Sequence, residues 1–121
     1  MNKTKKKILE EARALFNEKG YSNVTIRMIA LKLNMSSGNL NYHYKKRKDI
    51  FEALYFEMVT EFDNRIKDLP HTKISIIQIK NDIEQSMLRM MNYKFFWTDL
   101  YNLVSISDKV KIHFQEAYNN R

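Results

Sequence analysis

Between Ser36 and Lys48 the chain gathers small hydrogen-bonding side chains and cations into one short stretch. Ser36, Ser37, Gly38 and Asn39 come first, then Asn41, Tyr42, His43 and Tyr44, then Lys45, Lys46, Arg47 and Lys48. Hydroxyl and amide groups suit the edges of bases, and Asn can pair with adenine through two hydrogen bonds. Lys and Arg suit phosphates. No nucleophile stands at the spacing of a base that would activate it, and there is no glycine-rich phosphate loop or metal-ligand cluster. His71 and His113 lack a carboxylate or Cys at ligand spacing. The chemistry on offer is recognition of a polyanion, not catalysis.

These groups need a scaffold, and residues 25–44 read as two short helices joined by a tight turn. Ile26, Ile29, Ala30 and Leu33 recur at helical spacing and make one apolar face. Thr25 precedes them as an N-cap. Asn34 ends the run and tolerates the left-handed conformation of a sharp reversal. Ser36 offers a second N-cap. Leu40 is the one strong apolar anchor in the first turns of the second helix. A helix with so little to bury is held up by its neighbours, which leaves its polar side for a partner.

Charge placement agrees. The chain of 121 residues carries a net charge of +7. Residues 1–50 hold 12 Lys and Arg against 4 Asp and Glu, and residues 51–121 hold 9 against 10. The excess sits in the half with the helix pair, which points to an anionic partner for that half. An apolar content of 44% with two glycines and one proline indicates a globular, helical chain. There is no cysteine, hence no disulfide framework or thiolate metal site. The basic N-terminus lacks the apolar core of a signal peptide. No apolar run approaches the roughly 18 residues that cross a bilayer. The expectation is a soluble, cytoplasmic protein without a membrane partner or cofactor.

The remaining elements follow from periodicity. Ile8, Leu9, Ala12, Leu15 and Phe16 predict a helix over 3–19, stopped by Gly20, with Tyr21 packing back on it. Lys5, Lys6 and Lys7 read as a solvated helix start or as phosphate contacts. A long helix from Ile50 to Ile66 carries apolar residues on more than one face, so it is shared between two packing environments. Residues 68–72, with Pro70, end it. Ile76, Ile79, Ile83, Met87 and Met90 favour a further helix over a strand. An aromatic-rich stretch spans Tyr93 to Val104, and Ser107 and Asp108 open a last helix. No internal repeat is present.

Taken in order, the first helix, Gly20-Tyr21, Thr25-x-x-x-Ile29-Ala30, Met35 to Leu40, Tyr42-His43-Tyr44 and Lys45 to Ile50 resemble the DNA-binding domain of the TetR (tetracycline repressor) family. The resemblance covers roughly residues 5–55. It implies an all-α chain, with a three-helix DNA-binding domain containing a helix-turn-helix over 1–48. A helical ligand-binding and dimerisation region follows over 49–121, which this chain holds whole or in part. It implies DNA contact by Thr25, Arg27, Ser36, Ser37, Gly38, Asn39, Tyr42, His43, Lys45, Lys46 and Arg47. Ser37 and Asn39 would read bases, and the cations and Thr25 would hold phosphates. Three positions depart from the family pattern: Asn41 for the usual Tyr, Tyr44 for Phe, and Lys48 for an acid.

By the same analogy, Met87, Met91, Phe95, Phe96, Trp97, Tyr101 and Phe114 would line a pocket for a small apolar or aromatic ligand. The bland alternative for that set is plain core. The expected function is transcription regulation, as a repressor: a homodimer on a pseudo-palindromic double-stranded operator, released by the ligand. The rival expectation is a coactivator of the same fold that binds a protein through its aromatic region.

Overall fold

The computed structural model describes residues 2–67 and 75–119, and every regular element among them is helical. Helix α1 (Lys3–Lys19) begins where the Asn2 side chain accepts the backbone N–H groups of Thr4 (2.7 Å) and Lys5 (3.3 Å). Two otherwise unpaired donors of the first turn are thereby satisfied. It ends at Gly20, whose φ of +86° suits a residue without Cβ. The expected stripe, Ile8, Leu9, Ala12, Leu15 and Phe16, is buried. A single 3-10 turn, Tyr21–Asn23, brings the Tyr21 ring back to 5.0 Å from that of Phe16.

Helices α2 (Ile26–Lys32) and α3 (Ser37–His43) form the helix pair. The reversal between them rests on Asn34, at φ +55°. The Met35 N–H reaches the Ala30 carbonyl at 3.0 Å and the Asn34 N–H reaches that of Leu31 at 3.2 Å. This double closure satisfies the last carbonyls of α2. Thr25 and Ser36 cap α2 and α3, accepting the N–H groups of Met28 (3.2 Å) and Asn39 (3.0 Å).

Helix α4 (Arg47–Lys67) serves both halves of the molecule. Its first turns put Ile50, Phe51 and Leu54 into the core beneath α1. Farther along, Tyr55 packs against Phe96, with ring centres 5.5 Å apart. The expected stop at residues 68–72, including Pro70 and His71, lies outside the described residues. Helix α5 (Ile76–Asn92) opens with a reciprocal Ser75–Gln78 capping box, both bonds 3.2 Å. The helical spacing is realised, but no side chain of α5 is buried.

Three helices complete the chain: α6 (Lys94–Thr98), α7 (Leu100–Ile106) and α8 (Asp108–Asn119). The aromatic-rich stretch is thus two short helices. Buried Ser107 joins α8 to α4: its hydroxyl donates to the Glu52 carboxylate and accepts the Val110 N–H at 3.3 Å. Phe95 and Phe96 complete one continuous core with Phe16 (5.2 Å from Phe95) and Phe51 (6.2 Å from Phe96). Two clamps secure α1 to this second half. Asn17 bonds the backbone of Asn92 (2.7 Å) and Phe95 (2.9 Å). Arg13 lies over the Tyr93 ring at 5.5 Å. Among the described residues no helix is long and apolar enough to cross a membrane.

Candidate nucleic-acid interface and the cavity behind it

Helix α3 turns one residue inward. Leu40 is fully buried, while Gly38, Asn39, Asn41 and Tyr42 are exposed, Tyr42 by 84%. Ser37 and His43 are half-buried, and the His43 ring meets that of Tyr42 edge-on at 5.2 Å. Gly38 has no internal reason to be glycine. A Cβ there would meet only the Ser36 hydroxyl, at 4.0 Å, and its φ is not positive. The bare backbone therefore leaves open space in front of the first turn of α3.

Around this face stand Thr25, Arg27, Lys45, Lys46 and Lys48, all exposed. The hydroxyls of Thr25 and Ser36 each spend a lone pair on their cap and keep a hydrogen to donate. Lys5 extends the rim: its ammonium lies 5.3 Å from the centre of the Tyr44 ring. Tyr44 is half-buried, and burial raises its phenol above the ordinary value.

Arg47 departs from the expectation of a phosphate contact. Its guanidinium turns inward, with one nitrogen donating to the carbonyls of Val24 (2.8 Å), Tyr21 (3.1 Å) and Ser22 (3.4 Å). The group also stacks over Tyr21 at 4.2 Å. Burial raises the Tyr21 phenol, and Arg47 opposes that shift. The 3-10 turn leaves carbonyls facing the start of α4, and Arg47 satisfies them. Its place in a run of cations hid this role, which only the folded turn exposes.

Behind the interface, α4, α5, α6 and α8 line a partly open cavity of about 420 Å³. Phe96, Trp97 and Phe114 line it, as the ligand expectation had them. The other four do not. Phe95 is in the core between Phe16 and Phe51. Met87 (60%) and Met91 (63%) face outward from α5, where Met90 lines the cavity instead. Tyr101 is 94% exposed and lies, with Phe114, at a separate shallow hollow on α7 and α8.

The main wall comes from α4: Tyr55, Met58, Val59, Glu61, Phe62 and Asp63. The signal for these residues was the second apolar face of the long helix. Tyr55 is pushed up to about 12 by burial and stays a neutral phenol, 2.8 Å from His113 Nδ1. The Tyr93 hydroxyl, also raised by burial, donates to Glu61 at 3.1 Å. Arg65 and Asp82 form an ion pair between α4 and α5.

Comparison with known proteins agrees with this geometry. The family described as bacterial regulatory proteins, tetR family, matches residues 8–54. The probable HTH-type transcriptional regulator YttP of Bacillus subtilis is 26% identical over 91 residues, covering 75% of this chain and 44% of YttP. The biofilm operon icaADBC HTH-type negative transcriptional regulator IcaR of Staphylococcus aureus is 42% identical over 48 residues. That match covers 40% of this chain and 26% of IcaR.

Among solved structures, a TetR-family transcriptional regulator from Marinobacter aquaeolei VT8 superposes with a TM-score of 0.89 at 29% identity. It covers 98% of this chain and 59% of that one. A protein of Saccharomonospora viridis, solved in complex with choline, gives 0.72 at 24% identity, covering 99% of this chain and 65% of that one, and so shares the fold. The chain spans less than two thirds of the length of each of these relatives. Residues 8–54 thus form a domain of the family described as bacterial regulatory proteins, tetR family, and the chain as a whole is similar to a TetR-family transcriptional regulator.

Proposed function

We propose that the chain is a DNA-binding transcriptional regulator, a repressor that acts in the cytoplasm as a homodimer on a pseudo-palindromic operator. The observation that carries this reading is the face of α3, where Gly38, Asn39, Asn41 and Tyr42 are exposed around a single buried anchor, Leu40. Residues 1–48 are the DNA-binding domain and 49–121 the regulatory and dimerisation region. Ser37 and Asn39 read bases, and Gly38 lets the backbone approach. Thr25, Arg27, Ser36, Tyr42, His43, Lys45 and Lys46 position the helix on phosphates. Arg47 supports them from within. A dimer sets two α3 helices in successive major grooves, about 34 Å apart. IcaR, a negative regulator by name, supports repression as the direction.

A small apolar or aromatic ligand in the cavity releases DNA, provided it binds more tightly to the form with the unproductive spacing. The choline complex of the S. viridis protein supports a small organic ligand. A second reading, a protein-binding coactivator, draws on the exposed apolar side chains of α5, among them Ile76, Ile83 and Met87. Titration of labelled duplex DNA at low and raised salt separates the two. The regulator reading expects binding that weakens steeply with salt. Absence of binding at low salt favours the coactivator.

A further inference from the structure

We infer that the exposed face of α5 pairs with α5 of a second copy of this chain, antiparallel, about a two-fold axis at Ile83. This rests on the homodimer reading and names its surface. Three features carry it.

The first is an apolar face with room for a partner. An amphipathic helix owes most of its stability to the face it packs. Yet no side chain of α5 is buried. Ile76, Ile79, Ile83, Met87 and Met90 form one stripe, and their exposure runs from 47% at Ile79 to 84% at Ile76. At these exposures the stripe offers roughly 600 Å² per copy, so a pair would cover about 1,200 Å², where specific, stable interfaces begin. Ile77, Leu88 and Met91 widen the patch and are exposed too. Single apolar side chains on a surface are ordinary, but a contiguous patch of this size marks an interaction site.

The second is the symmetry of the stripe. Its spacings of three, four, four and three residues read the same from either end. A two-fold axis at Ile83 therefore sets Ile76 against the partner's Met90, Ile79 against the partner's Met87, and Ile83 against its own copy. Such self-complementary contacts are what a two-fold dimer requires.

The third is charge. By helical register Lys80 and Glu84 lie on one flank of the stripe, and Asp82 and Arg89 on the other. An antiparallel two-fold brings like flanks together. Each Lys80 then lies about 3 Å along the helix axis from the partner's Glu84, at about 1.5 Å per residue. A parallel pairing would set Lys80 against the flank where Asp82 is paired with Arg65 and Arg89 lines the cavity. The charges thus favour the antiparallel sense.

Sedimentation of the 121-residue chain over a range of concentrations tests the pairing. A reversible dimer with a micromolar dissociation constant is expected for an interface of this size. Ile83→Glu sets two carboxylates at the axis and should weaken the dimer by about a hundredfold or more. Ile112→Glu, on α8 at the same 56% exposure, should not. Lys80→Glu should weaken it by about threefold to tenfold, and adding Glu84→Lys should restore it. The chain has no cysteine, so Ile83→Cys can be oxidised alone. It should cross-link to a dimer far faster than Ile112→Cys. A dimer that persists in Ile83→Glu, or equal cross-linking of the two cysteine variants, overturns the inference and leaves the homodimer reading standing. A chain that stays monomeric and floats with phosphatidylcholine vesicles overturns it in favour of a lipid surface. A chain that is monomeric both alone and on duplex DNA removes the homodimer reading, and this inference with it.

Discussion

The Arg47 guanidinium lies 4.2 Å over the ring of Tyr21 and donates to the carbonyl of the same residue at 3.1 Å. One side chain thus fixes both the ring and the backbone of the turn that leads into α2. Replacing Arg47 with Ala removes its donor from three carbonyls, of which that of Tyr21 keeps a backbone partner, the Val24 N–H. The expected loss is about 1.5–3 kcal/mol, the range for hydrogen bonds to a charged group. Urea denaturation measures it. DNA binding should weaken alike for all sequences, with the salt slope of the remaining binding unchanged. A slope lower by about 1 with full stability would instead make Arg47 a phosphate contact.

Gly38 and Leu40 should separate binding from folding. Gly38→Ala adds a methyl into open space within a helix, so stability should rise by roughly 0.5–1 kcal/mol. The same methyl stands where DNA would approach, so affinity for operator DNA should fall. Leu40→Ala empties a fully buried site and should cost about 2–5 kcal/mol. Thermal melts beside DNA titrations of both variants give the contrast. Tighter DNA binding by Gly38→Ala would remove the argument for close backbone approach.

The division between readers and anchors has its own signature. The pair Ser37→Ala, Asn39→Ala should flatten the preference among duplexes by about 1–3 kcal/mol for each base no longer read. The pair Lys45→Ala, Lys46→Ala should lower affinity for every duplex and reduce the salt slope by roughly two. Binding to a panel of sequences at several salt concentrations tests both. Equal effects of the two pairs would contradict the assignment.

Asn17 should prove a joint between the two halves. Asn17→Ala removes its bonds to Asn92 and Phe95, at an expected cost of about 1–3 kcal/mol. Hydrogen exchange should quicken at the Phe95 N–H before it does so in the core of α1. Unchanged protection at Phe95 would show that the packing of Phe95 on Phe16 holds α6 without this joint.

Glu57 gives a pH dependence. Burial raises its carboxyl above the ordinary value; Arg13 opposes the shift, and Glu61 and Glu10 add to it. The folded state therefore holds this proton more tightly than the unfolded chain does. The penalty of the ionised form is fully present above the raised value, fades as pH falls through it and is gone below the unfolded one. Glu57→Gln should stabilise the protein at neutral pH, by at most about 1 kcal/mol given its partial solvent contact. That gain should vanish in acid below the ordinary carboxylate range. Melting curves of both proteins across pH check the sign.

The N-terminal half was readable because its signals are local. Thr25 and Ser36 cap within three residues, Asn34 turns at one residue, and the α1 stripe repeats every turn. The cavity was less readable because it depends on which face of each helix turns inward. Spacing put Met87 and Met90 on one stripe, and of the two the fold turns only Met90 to the cavity. Phe95 and Phe96 are adjacent, and only packing against Phe16 and Phe51 tells core from cavity wall. Arg47 misled because a run of four cations carries no sign of which one faces inward.

The unbroken path of α4 has a mechanical consequence. Its 21 residues make a rod about 31 Å long at about 1.5 Å per residue. One end is seated in the core that carries α3, and the other borders the cavity. A rod of that length converts a tilt of about 5° at one end into a displacement of nearly 3 Å at the other. That approaches the 3.4 Å step between stacked base pairs. A tilt of α4 by a few degrees would thus act on the scale at which a helix in the major groove loses its register.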